Sequence, residues 1–96
     1  MPFDTTLDPT TDVILGAIDY LERYGWHKGG MGRGPNRCIL GAIREITLYN
    51  MPLMCRAMER VKKANGIEID LPFWNDAQER TKEDVLAALH NSLVAP

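Results

Sequence analysis

Apolar side chains recur every three to four positions over most of the chain. In DPTTDVILGAIDYLERYG, Ile14, Ala17, Ile18 and Leu21 fall on one stripe, the repeat of an amphipathic helix. Asp8, Thr10 and Thr11 are alternative N-caps, Pro9 sits at the first turn, and Gly25 ends the run; these residue types open and close helices. A helix over residues 10–24 is predicted. A second stripe, Ile39, Ala42, Ile43 and Ile46, predicts a helix over 36–48 capped by Gly34 or Asn36. A third follows almost directly in MPLMCRAMERVKKANG. It has Pro52 in its first turn, apolar Leu53, Met54, Ala57, Met58 and Val61, and Asn65-Gly66 as its stop.

The pattern then changes period. IEIDLPFWND alternates Ile67, Ile69 and Leu71 with acids ahead of Pro72, which reads as a short extended segment with one buried face. With no second strand it cannot build a sheet. The last helix opens at Thr81, with Asp84 three residues later as a capping-box variant, and carries Val85, Leu86, Leu89 and Leu93 as its stripe. The expected fold is therefore all-α: one compact domain over 1–96, about four helices, a short extended connector before the last, and a flexible segment at 1–8.

Composition supports a single folded unit, since 96 residues at 45% hydrophobic and 25% charged match ordinary globular usage. A net charge of -2 excludes a strongly basic nucleic-acid binder. No cationic segment leads into an apolar run at the N-terminus, and no run approaches the roughly 18 apolar residues of a membrane span. The expected location is the cytoplasm, with no membrane contact. Cys38 and Cys55 are the only cysteines, read as buried and reduced, with a bridge between them left open.

Candidate chemistry begins with KGGMGRGPNR, residues 28–37, which holds four glycines, one proline and three cationic side chains. A Walker loop needs Lys and then Ser or Thr after its last glycine, whereas Gly34 is followed by Pro35 and Asn36. A dinucleotide fingerprint needs a preceding strand and a third glycine where Pro35 stands. Both patterns fail. What survives is a cationic island of His27, Lys28, Arg33 and Arg37 at a helix N-terminus, with no acid between Tyr24 and Arg44, where an anion or acidic partner can dock. The plainer alternative is a solvated connector whose glycines supply backbone freedom.

WNDAQERT reads as structural. Trp74 anchors the connector in the core, Asn75 or Asp76 caps a turn, and Arg80 pairs with Asp76 or Glu79 before Thr81 starts the helix. His27, Cys38, Cys55 and His90 lack metal-ligand spacing, so no metal, no cofactor and no catalytic residue is assigned. Residues 38–58 are the most apolar stretch, with three of the five methionines at 51, 54 and 58. Core packing accounts for most of it, and a partner or homodimer face on the second and third helices for the rest.

GWHKG, RCILGAI and WNDAQERTKEDVLAAL, in that order, resemble a family of small uncharacterised proteins of actinobacteria and their phages. Its members carry a helix ending in G-W-C-x-G, a helix starting C-x-x-G-A, and a C-terminal W-N-D-x-x-x-R-T block. Gly25, Trp26 and Gly29 match the first, Cys38, Gly41 and Ala42 the second, and Trp74, Asn75, Asp76, Arg80, Thr81 and Val85 the third. His27 departs from the cysteine common at its position. The resemblance implies a cytoplasmic bacterial or phage protein and brings no activity with it.

The expected function is non-enzymatic. A small helical protein contacts another macromolecule, a bacterial host protein given the resemblance, through Trp26, His27, Lys28, Arg33 and Arg37, with the exposed part of the second and third helices as the next surface. The alternative is nucleic-acid association through the cationic loop 27–37. A small hydrolase-like enzyme built around Asp76 or Cys38 ranks third.

Overall fold

Local capping decides where each helix starts. In the computed structural model, which describes residues 8–30 and 32–94, Asp8 is extended and its carboxylate accepts the Thr11 backbone N–H at 2.7 Å. Helix α1 runs Pro9–Tyr24 from that cap and stops at Gly25, whose φ of 97° lies outside the range that side chains tolerate easily. Helix α2, Ile39–Thr47, starts with the first residue of its apolar stripe, three residues after the expected bound at 36. Asn36 and Gly34 are not its caps: His27 N–H donates to the Arg37 carbonyl at 2.9 Å and Arg37 N–H to the Gly25 carbonyl at 3.2 Å, and backbone held in that extended bridge cannot also be helical. Cys38 is the cap instead, its Sγ accepting the Gly41 N–H at 3.3 Å.

Helix α3, Met51–Asn65, is capped by Asn50 and stopped by left-handed Gly66. The segment expected to be extended yields a fifth helix, α4, Leu71–Asn75. Asp70 is extended at its N-cap and Pro72 lies in its first turn. Proline begins a helix as readily as it ends a strand. Of the alternating residues only Leu71 is fully buried, and Ile69 is exposed. Helix α5 is Lys82–Val94, opened by the reciprocal pair in which Thr81 N–H donates to Asp84 Oδ2 at 3.0 Å and Asp84 N–H to Thr81 Oγ1 at 3.1 Å.

The described residues therefore form an all-α fold of five helices with one isolated bridge between Trp26 and Arg37. Helix α1 packs against α2, α3 and α5, and its Ile14, Ala17 and Leu21 are fully buried. Ile39 and Ile43 of α2, Val61 of α3, Leu71 of α4 and Leu89 of α5 close the core around it. Arg60 ties three helices, donating to the Ser92 carbonyl at 3.0 Å and to Thr11 Oγ1 at 2.8 Å. No described helix is long and apolar enough to cross a membrane. The segment expected to be flexible, 1–8, lies outside the described residues apart from Asp8.

The Asp8 carboxyl is held below its ordinary value of 3.8, first by the Thr11 backbone N–H, then by the Thr11 hydroxyl, with the Arg60 charge adding to both. A depressed carboxylate contributes stability above its ordinary value and loses it as pH falls through the lowered one. Asp8→Ala is therefore expected to lower Tm at pH 7, and the gap to wild type to close below pH 3.8 in acid melts followed by circular dichroism.

Candidate functional site

The glycine loop and the W-N-D block meet at one buried amide. Asn75, at the end of α4, is 0% exposed, and burial of so polar a group demands that its hydrogen bonds be made inside the protein. Its Oδ1 accepts the Trp26 indole N–H at 2.6 Å and the Ile39 backbone N–H at 3.1 Å. Its Nδ2 donates to the His27 carbonyl at 3.0 Å and to Asp76 Oδ1 at 2.9 Å. Four bonds fill the capacity of the side chain. Asp76 Oδ1 also accepts the Gly29 N–H at 2.8 Å. The W-N-D block thus holds the loop at Trp26, His27 and Gly29, and it caps α2 from 36 residues away.

The loop's packing engages two of the four cations of the island, Lys28 and Arg37. Lys28 Nζ donates to the Gln78 carbonyl at 2.8 Å and lies 5.7 Å from the centre of the Trp26 ring. Arg37 Nε pairs with Glu45 at 3.2 Å, and its guanidinium also donates to the Gly34 and Asn36 carbonyls, each at 2.7 Å. Gly32 admits that inward turn, because a Cβ there would collide with the Asn36 carbonyl oxygen. Arg33 is exposed and His27 half-buried. The helix N-terminus expected to take an anion is already occupied: Asn75 takes the Ile39 N–H, and Cys38 takes those of Gly41 and Ala42 through its Sγ and carbonyl.

Other expected contacts are rearranged. Arg80 does not pair with Asp76 or Glu79. It donates to the Trp74 carbonyl at 2.8 Å and lays its guanidinium 4.0 Å from the centre of the Trp74 ring, a cation–π contact that leaves Trp74 half-buried instead of deep in the core. Cys38 is buried and Cys55 exposed, and they form no disulfide. Among the described residues no three His, Cys, Asp or Glu side chains gather as metal ligands.

A feature without a sequence signal stands at the α2–α3 corner. Leu48 and Tyr49 both adopt positive φ, 53° and 66°, where glycine or asparagine is usual. Leu48 is 82% exposed, Tyr49 60% and the adjoining Met51 61%. Only their placement between two helices, in LYNMP without a glycine, hints at it.

The model of a family of unknown function (DUF6197) matches residues 5–92. The chain belongs to that family. The match spans α1, α2, α3, α4 and nearly all of α5, so every residue of the Asn75 constellation lies within the family's shared region. No curated protein and no solved structure matches the chain.

Removing the hub leaves the Trp26 indole, the Ile39 amide and the His27 carbonyl without their partner. Asn75→Ala is expected to cost about 2–4 kcal/mol, Trp26→Phe about 1–2, and Asp76→Ala, whose Gly29 partner is exposed, about 1. Urea denaturation of the three variants should return that order; equal or inverted costs would contradict the hub.

Proposed function

We propose that this protein is a small non-enzymatic helical adaptor that binds another protein, in a bacterial or phage setting, through its α2–α3 corner. One observation carries the reading: two consecutive large apolar residues, Leu48 and Tyr49, are held in left-handed backbone and turned out to solvent. Such backbone costs roughly 1 kcal/mol or more per residue, and exposed apolar area offsets none of it in the free protein. A partner that covers the corner buries the apolar area and so returns that term, while the backbone cost stays as it is, set against the Leu48 and Tyr49 N–H bonds to the Glu45 and Arg44 carbonyls.

The corner belongs to the second surface expected from the apolar run 38–58. The first, Trp26, His27, Lys28, Arg33 and Arg37, is less suited, since Trp26, Lys28 and Arg37 engage their polar groups inside the molecule. Nucleic-acid binding through the loop would rest on His27 and Arg33. The resemblance to proteins of actinobacteria and their phages supports a bacterial host protein as the partner and the cytoplasm as the place.

Affinity capture from an actinobacterial lysate tests the reading with two matched variants, Leu48→Ser/Tyr49→Ser at the corner and His27→Ala/Arg33→Ala in the loop. The corner variant is expected to lose the captured protein and the loop variant to keep it. The converse result would move the site to the loop, and capture unchanged by both would refute each surface. Leu48→Gly sharpens the test. Relief of left-handed strain, about 1 kcal/mol, offsets the extra unfolded-state entropy of glycine, so Tm is expected to hold while capture is lost.

A further inference from the structure

We infer that the occupant of the α2–α3 corner is a protein segment that sets a carboxylate beside apolar side chains; this rests on the corner being the binding surface. The key residue is Arg44. Its guanidinium lies 5.0 Å from the centre of the Tyr49 ring, and its Nε is buried with no hydrogen-bond partner. No ion pair or side-chain hydrogen bond engages its other nitrogens among the described residues. Its Nε is out of a partner's reach, but the terminal nitrogens of an arginine fork stacked on an aromatic ring can take a carboxylate end-on.

The surrounding charge points the same way. Glu45, the neighbouring acid, is engaged by Arg37 at 3.2 Å. From residue 46 to residue 58 the chain carries a single ionic side chain, Arg56, exposed on α3, and the next acid along the chain is Glu59. On α1, Asp12 and Asp19 flank Leu15 in sequence, and Asp19 pairs with Arg23 at 3.5 Å. The corner is thus an apolar, locally cationic surface on a protein of net charge -2. A second copy fits it poorly, because a two-fold contact centred on Leu48 and Tyr49 brings Arg44, which lies against Tyr49, toward its own counterpart.

A displayed library of random linear peptides, selected on the immobilised full chain and counter-selected on Leu48→Ser/Tyr49→Ser, supplies the probe. Recovered peptides are expected to combine Asp or Glu with Leu, Phe or Trp. Their synthetic copies should bind about tenfold or more weakly to Arg44→Gln, with Arg44→Lys in between, as expected for loss of a bidentate charged pair. Both variants are to be checked for wild-type circular dichroism, and Arg44→Lys keeps the test valid if Arg44→Gln fails to fold. Peptides that need Leu48 and Tyr49 but show no acidic enrichment and ignore Arg44 would overturn this inference and leave the corner a binding surface. A concentration-dependent dimer abolished by the corner variant would overturn it in favour of a second copy. Recovery of corner-independent peptides alone would overturn both.

Discussion

The fold depends on one side-chain amide that has no water to turn to. Asn75 is fully buried and answers four groups from the loop, from α2 and from its own neighbour. An apolar residue in its place would keep the packing and strand three polar groups; a charged one would bring an uncompensated ion into the core. Asparagine meets the geometry because it offers acceptor and donor on one planar group. The Trp26 indole and the Asn75 amide are 49 residues apart in the chain, so this bond links the end of α1 to α4 and, through the shared acceptor, fixes the start of α2 between them.

A consequence is that the glycine loop is built as structure. Its glycines let the chain fold back on the Asn36 carbonyl, and its cations terminate backbone carbonyls that helix ends and turns leave open. The same closure is missing at the α2–α3 corner, where Leu48, Tyr49 and Met51 stay largely exposed among the described residues and the Arg44 guanidinium lies against the Tyr49 ring. One loop is closed by contacts with α2 and the W-N-D block, and the other is open. That contrast, more than composition or net charge, is why the proposed partner contact is set at the corner and not at the loop.

Helix placement was legible from periodicity and caps, because Asp8, Gly25, Pro52, Gly66 and the Thr81–Asp84 pair act within a few residues of themselves. The start of α2 was not, since the Trp26–Arg37 bridge and the Asn75 cap that set it come from distant parts of the chain. Helix α4 was hidden for a related reason: five residues give too little pattern to outweigh an alternation and a proline. The structural sense of W-N-D was readable from residue types, but its targets were not, and Arg80 chose the Trp74 ring over the nearby acids. The apolar run 38–58 marked the region of the exposed corner but not its backbone, whose left-handed φ angles at Leu48 and Tyr49 residue identity argues against.

Hydrogen exchange tests the central claim, that Asn75 joins the loop to α2 as one unit. The Trp26 indole N–H and the Ile39 amide share its Oδ1 as acceptor, so under native conditions both should be strongly protected and should open with the same free energy. A Trp26 indole proton exchanging at the rate of exposed tryptophan, while Ile39 stays protected, would show that the loop moves independently and would contradict the account.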